Sequence, residues 1–434
     1  MKRILSTLLA ILFLMSMGTV AFAEYTPNTE SQVSLAVADT IANIFHDRFL
    51  AHVVAEHLEV SVETVVTQAT LDSIQSLSTS NLWQIQNLQG IQFLRNLTWL
   101  DLSHNRISNI QPLSGLTELT HLNLWANWVN DLSPLAELSN LTLLDLGRNN
   151  VTDISPLVGL SNLTSLNLHG QRGDNFVSWA SSLTIPVHMQ DVNGNLISPT
   201  FISNNGIYRD GTITWTNLST PRVNARETLF TSYEWNQPVQ VGDVSVWFSG
   251  RGTIHFLPFQ DVNQSDWFCN YVWATTHNGW IIGTSGTTFS PNEPLTRAAA
   301  VTILHRMVDE KATPFQPIFN DVVADRWYSS AVTWAYQSGI VKGVGGGRFA
   351  PNDPVTREQL ATMMLRAAPH FIIDAPVVPD NIVVPEFEAS PWAYDAMRLA
   401  AVFDFISVEA PTSPASRAES VALIVRFIDQ FFRG

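Results

Sequence analysis

The chain has 434 residues, of which 45% are hydrophobic and only 14% charged, with a formal net charge of −15. That length allows about three domains of ~150 residues and excludes one small domain, and the apolar fraction excludes wholesale disorder. The acidic balance disfavours non-specific binding to nucleic acid or to an anionic membrane.

At the N-terminus, Lys2 and Arg3 precede an apolar run from Leu8 to Met15, and Ala21-Phe22-Ala23 offers the small-x-small pattern of a cleavage site. Residues 1–23 therefore read as a secretory signal peptide. No later stretch reaches ~18 uninterrupted apolar residues, so no membrane span is expected in the exported chain. Cys269 is the only cysteine, which excludes an internal disulfide framework and leaves open a bridge between two copies. Residues 24–76 follow, where Ile41, Ile44 and Phe45 fall at helical spacing ahead of Leu50, Val54 and Leu58. They predict a helical cap, which a solenoid needs to cover its first leucines and strand edge.

A 22-residue period then runs through 77–174: Leu100, Leu122, Leu144 and Leu166 keep the step, as do Asn105, Asn127 and Asn149, and Pro112, Pro134 and Pro156. Period-two alternation in each L-x-L stretch predicts a short parallel strand with its leucines inward. The Asn three residues on sits where the chain leaves the strand, and its amide can bond the backbone groups of that bend. Stacking about four to five such coils brings outward positions into columns: Trp99, His121 and Leu143; Asp101, Asn123, Asp145 and Asn167; and Trp125 with His169. Exposed aromatics beside Asp, Asn and His suggest a ligand-binding face, unless Trp99 and Trp125 merely pack together. The repeat, and the cap before it, closely resemble the leucine-rich repeats of bacterial internalins.

Over 175–256, short β-type runs such as Ile213-Thr214-Trp215 alternate with Asn/Gly turns such as Asn193-Gly194, which predicts a small antiparallel sandwich. This stretch resembles the Ig-like module that follows internalin repeats.

A 60-residue period begins next, carrying Phe259 to Phe319, Asp261 to Asp321, Trp267 to Trp327, Phe289 to Phe349, and Thr296-Arg297 to Thr356-Arg357. A third, shortened copy keeps Phe387, Trp392 and Ser416-Arg417 but lacks the glycine-rich turn. The units over 257–316, 317–376 and 385–434 resemble S-layer homology modules. That resemblance implies a helical, trimer-like domain that attaches non-covalently to secondary cell-wall polysaccharide, often pyruvylated, in clefts between modules. Asp261, Trp267, Thr296, Arg297, Asp321, Trp327, Thr356, Arg357, Trp392, Ser416 and Arg417 are its candidate contacts.

Thr356 with Gln359, and Ser416 with Glu419, have the spacing of a capping box, so the hydroxyls have a purely structural reading too. Arginine has no part in such a box and is unfavourable beside the positive end of a helix dipole, which points to Arg297, Arg357 and Arg417 as clamps for an anion. The three tryptophans suit core packing or a ligand platform.

Catalytic and metal-binding constellations are not found. The eleven histidines form no H-E-x-x-H, and Gly283-Thr284-Ser285-Gly286 is not a nucleophile elbow. The expected architecture is thus multidomain: an α/β leucine-rich-repeat solenoid with helical cap, an all-β Ig-like sandwich, and an α-helical S-layer homology domain. The expected function is a surface adhesion protein, not an enzyme, without cofactors, on the wall of a Gram-positive-type bacterium. Its repeats would bind an unidentified protein or glycan. A structural S-layer component is the alternative, and a wall-modifying enzyme a remote third.

Overall fold

A computed structural model describes residues 39–78, 85–178, 180–219, 230–308, 313–370, 384 and 386–431. The expected signal peptide lies outside them. The N-terminal cap pairs β1 (Asp39–Thr40) with β2 (Val65–Val66) around α1 (Ile41–Ile44) and α2 (Arg48–His57), and α3 (Gln68–Leu71) leads out. Asp47 ties this cap to the solenoid: one carboxylate oxygen accepts the first amides of α2, from Phe49 at 2.9 Å and Leu50 at 3.3 Å. The other accepts amides of the first coil, from Gln86 at 2.9 Å and Asn87 at 3.2 Å. A single N-cap residue therefore satisfies orphan donors on both sides of the junction.

Each coil contributes one short parallel strand: β3 (Ser76–Ser78), β4 (Trp99–Asp101), β5 (His121–Asn123), β6 (Leu143–Asp145) and the start of β7 (Ser165–Ser178). Leu100, Leu122, Leu144 and Leu166 stand in one register row and are buried. Behind them the asparagine ladder satisfies the bends as expected. Asn127 Nδ2 donates to Leu102 O (2.8 Å) and Leu124 O (3.1 Å), while its Oδ1 accepts from Ile107 N (3.0 Å). Asn149 repeats this pattern one coil on, bonding Leu124 O, Leu146 O and Val129 N.

Two further ladders escaped the sequence reading. Gln171 takes the asparagine position in the last coil, accepting from Val151 N (3.0 Å) and donating to Leu146 O (2.8 Å). Thr120, Thr142 and Thr164 each donate their hydroxyl to the carbonyl of the threonine one coil back, at 2.9, 3.0 and 3.0 Å. The 22-residue step alone marks both ladders.

The adjacent segment is built onto the solenoid sheet. β7 runs 14 residues, past the expected boundary at 174, and pairs parallel with β13 (Val244–Leu257). β13 pairs antiparallel with β12 (Phe230–Val241), which carries β9 (Phe201–Ile202) at the edge. The solenoid sheet thus continues as one eight-stranded sheet in the order β3-β4-β5-β6-β7-β13-β12-β9. Strand pairing covers the edge that the last coil would otherwise expose. Only β8 (Leu183–Pro186), β10 (Ile207–Arg209) and β11 (Thr212–Trp215) form a second, small sheet.

The last part is helical, two helices to a module: α4 (Cys269–His277) then α5 (Arg297–Val308), α6 (Ser329–Gln337) then α7 (Arg357–Ala367), and α8 (Tyr394–Phe403) then α9 (Arg417–Phe431), and the helices pack across module boundaries, α5 on α6, α7 on α8 and α9 on α4. They close into a ring. Leu295 N donates to Ala415 O, Val355 N to Leu295 O, and Ala415 N to Val355 O, each at 2.9 Å. A three-fold cycle of backbone bonds lets no module be removed without leaving buried partners unsatisfied.

Both ends of the ring also touch the front of the molecule. His255 at the end of β13 packs edge-on to Trp273 of α4 at 4.2 Å between ring centroids. Phe403 of α8 stacks on Phe49 of the cap at 6.1 Å, and Arg106 of the solenoid meets Asp429 of α9 at 3.4 Å with both side chains buried.

Candidate functional site

The strand face forms in the expected register: Trp99, His121, Leu143 and Ser165 in one row, Asp101, Asn123, Asp145 and Asn167 in the next. Turn geometry explains much of the second row. Each of its carbonyl or carboxylate oxygens accepts the amide two residues on: Ser103 N at 2.8 Å, Trp125 N at 3.0 Å, Gly147 N at 2.9 Å and His169 N at 3.0 Å. Asn123 and Asn167 then donate across to Asp101 and Asp145. The row is a polar strip whose turn-facing atoms are already bonded.

Trp99 is 38% exposed, whereas Trp125 is half-buried, with His104 edge-on at 4.3 Å and the Arg148 guanidinium 4.9 Å over its ring. Trp125 lies down because residue 147 is glycine: a Cβ there would stand 2.7 Å from the indole. His121 pairs its Nδ1 with Thr120 Oγ1 at 2.8 Å. His169 pairs its Nδ1 with Ser249 Oγ at 2.8 Å. Leu143 is half-buried in its row.

In the module ring most of the expected wall contacts have partners within the protein. Asp261 accepts Phe289 N at 2.8 Å and Ser290 N at 2.7 Å, and Asp321 accepts Phe349 N and Ala350 N, both at 2.8 Å. Ser290 and Ala350 have left-handed backbones (φ 60° and 59°), so the aspartates hold a loop conformation that non-glycine residues adopt at a cost. At Asp321 partial burial opposes ionisation, yet the amide bonds and nearby Arg348 prevail and hold the carboxyl below its ordinary range. Thr356 and Ser416 form complete capping boxes with Gln359 and Glu419, and Thr296 caps α5 through Ala299 N at 3.2 Å.

The arginines are engaged by protein groups across module boundaries. Arg297 Nε donates to Phe349 O (2.9 Å), its Nη1 donates to Gln359 Oε1 (3.1 Å), and its guanidinium lies 5.0 Å over the Phe349 ring. Arg417 repeats this on module one, donating to Phe289 O and Ile282 O, each at 2.8 Å, over the Phe289 ring. The anion that Arg357 holds is the protein's own Glu419, at 3.0 Å from Nε and 2.6 Å from Nη2. These side chains staple modules 1 to 2, 2 to 3 and 3 to 1, which is why Arg recurs at a helix start.

The tryptophans behave oppositely. Trp267, Trp327 and Trp392 are 48%, 63% and 51% exposed, each just before or at the start of the first helix of its module. Trp267 borders a cleft of about 420 Å³ shared with Asp404, Glu409, Glu419 and Arg426 of the third module. Burial, with Asp266 adding to it, pushes the Cys269 thiol up to about 11, and Cys269 is itself buried, which removes the bridge between copies. Among the described residues no group of three or more His, Cys, Asp or Glu could hold a metal ion, and no helix is long and apolar enough to cross a membrane.

With this geometry in view, the likenesses to known proteins are informative. The model for the S-layer homology domain matches residues 258–301 and 318–361, that for leucine-rich repeats matches 95–137, and that for the LRR-adjacent domain matches 194–254. The third module, unmatched, is recognised by its place in the ring. An endoglucanase of Bacillus sp. (strain KSM-635) is 39% identical over 111 residues, 26% of this chain and 12% of that protein. The surface-layer 125 kDa protein of Lysinibacillus sphaericus is 32% identical over 130 residues, 29% of this chain and 11% of that protein. The chain spans between 9% and 16% of the length of the first four curated relatives. Among solved structures, an internalin from Listeria monocytogenes is 39% identical, covering 33% of this chain and 42% of its own, with a TM-score of 0.31. Internalin C2 of the same species is 30% identical, covering 34% and 82%, with a TM-score of 0.22.

Proposed function

We propose that this internalin-like repeat protein with S-layer homology modules is a cell-surface binding protein of a Gram-positive-type bacterium. Its three modules hold it non-covalently on a secondary cell-wall polysaccharide bearing pyruvyl groups, and the strand face of the repeats captures a protein or glycan. Residues 175–256 serve as an Ig-like spacer that extends the solenoid sheet. The matched domains are anchoring and binding kinds, which supports a binding protein and not an enzyme.

The observation that carries the reading is the three-fold ring, which leaves Trp267, Trp327 and Trp392 exposed at equivalent stations while the adjacent charged residues are used internally. Aromatic faces beside clefts suit the apolar faces of sugar rings. Trp267→Ala with Trp327→Ala is expected to abolish co-sedimentation with purified walls without changing the melting curve. Undiminished sedimentation refutes the assignment. Trp99→Ala with His121→Ala is expected to spare wall binding and to remove capture by the repeats. The likeness to named surface-layer proteins favours a second reading as a lattice component, which regular arrays formed by the purified protein would support.

A further inference from the structure

The strand face does not stop at the last coil. On the parallel ladder Phe248 of β13 stands beside Leu168 of β7, and both are buried. The residues before them, Trp247 and Asn167, therefore turn to the opposite side of the sheet, and those after them, Ser249 and His169, meet there at 2.8 Å. Trp247 thus extends the row of Asp101, Asn123, Asp145 and Asn167. It is 58% exposed, more open than Trp99 at 38%, and its partner on β12, Pro238, is exposed as well.

The groups left open along this face alternate in kind. Asp145 Oδ1 accepts from Gly147 N at 2.9 Å and from Asn167 Nδ2 at 3.0 Å, while its Oδ2 receives no hydrogen bond from the described residues. Asn123 and Asn167 each give one amide hydrogen to a neighbouring aspartate and keep the other. In the row alongside, the Thr120 hydroxyl donates to Thr98 O, so His121 Nδ1–H donates to Thr120 Oγ1 and His121 Nε2 remains an acceptor. Acceptors and donors interleaved at the ~4.8 Å strand spacing suit hydroxyl groups, each of which can do both. The bonds already made hold these side chains in place, so binding costs them little rotamer freedom.

Charge and layout narrow the occupant. Asp101 and Asp145 are charged and no Lys or Arg shares these rows, which disfavours an acidic polymer, and with it the wall glycan assigned to the ring. Trp99 on β4 and Trp247 on β13 are separated by β5, β6 and β7, or about 19 Å at the ordinary strand spacing. The row between them is polar throughout. A protein hot spot has the reverse layout, its aromatic anchors clustered at the centre. Open indoles at both ends of a hydroxyl-matching strip fit the apolar ring faces and the hydroxyls of a sugar chain.

We propose that the strand face binds a neutral oligosaccharide laid across the strands from Trp99 to Trp247, and that Trp247, outside the repeats proper, supplies its second stacking platform. This rests on the reading of the strand face as the capture surface and gives its ligand class.

The test is calorimetric titration of the full chain with cellohexaose, mannohexaose and N-acetylchitohexaose, all neutral, and with hexagalacturonate. At least one neutral hexasaccharide is expected to bind, and hexagalacturonate at least about tenfold more weakly. Trp247→Ala, at an exposed site, should melt like the parent and weaken binding about tenfold or more, and Trp247→Phe should restore much of it. Asp145→Asn keeps the turn acceptor, replaces only the open oxygen and should cost about tenfold. Trp99→Ala with His121→Ala should weaken binding likewise, whereas Val158→Ala, exposed away from this face, should not. If no neutral hexasaccharide binds the folded protein, or hexagalacturonate binds as tightly, the ligand class is overturned; capture by the repeats that is still lost in the Trp99 and His121 variant would then mark a protein ligand. Binding that ignores Trp247→Ala but falls in the Trp99 and His121 variant overturns the second platform. Binding indifferent to both overturns the strand face as the capture surface as well.

Discussion

Replacing Asn127 by alanine tests the solenoid's internal logic, because the consequences can be followed atom by atom. Asn127 is buried, donates to Leu102 O and Leu124 O, and accepts from Ile107 N. Without it the two carbonyls each keep a second donor, Asn105 Nδ2 at 3.0 Å for Leu102 and Asn149 Nδ2 at 2.8 Å for Leu124. The Ile107 amide loses its side-chain acceptor and stays buried. That orphan costs about 1–3 kcal/mol, and the two lost carbonyl bonds cost about 1 kcal/mol each, or roughly 3–5 kcal/mol together. For a unit of this size the melting temperature should fall by roughly 6–20 °C. Asn140→Ala, which removes an exposed bond to Thr117 O, should cost under about 1 kcal/mol. Circular-dichroism melting reads the difference, and hydrogen exchange should show lost protection centred on Ile107. If Asn127→Ala melts within about 2 °C of the parent, the ladder does not hold the bends and the reasoning fails.

Other perturbations have equally definite outcomes. Arg297→Ala removes an inter-module staple, so it should lower the ring's melting temperature and loosen wall binding only together with that loss; release from walls with unchanged melting would restore an anion-clamp role. Asp429→Ala removes a buried partner of the Arg106 guanidinium and should destabilise the chain, whereas Arg106→Met with Asp429→Leu should recover part of the loss, both read by urea denaturation. Asp321 has a folded pKa below its ordinary 3.8, so its contribution is complete above that value and is lost as pH falls through the lower folded one; Asp321→Asn should flatten that acid limb of the stability curve. Cys269, with its thiol raised to about 11, should resist iodoacetamide at pH 8 in the native state and react on unfolding, as mass spectrometry would show.

Much of the architecture was legible because periodicity is a geometric statement. A 22-residue step fixes strand, bend and return, and the structure reproduces the Trp99 and Asp101 rows in the anticipated register. The capping boxes at Thr356 and Ser416 were equally readable, since they depend on neighbours three residues away. What escaped was set by distant partners. Arg297, at the start of a helix where local electrostatics disfavour a cation, looks like a ligand clamp. Its partners within the protein, Phe349 O and Gln359, lie 52 and 62 residues on. The same holds for the sandwich boundary, because nothing local in Ser165–Ser178 announces that β13 will join it in parallel. Arg172 and Arg251 likewise become neighbours only through that pairing.

The ring of modules is the proposed point of attachment to the wall. The most direct measurement is co-sedimentation of the full chain with purified cell walls, compared with the same walls stripped of secondary polysaccharide by acid. The protein should pellet with intact walls and remain in solution with stripped ones. Equal pelleting with both would contradict anchorage by that polymer.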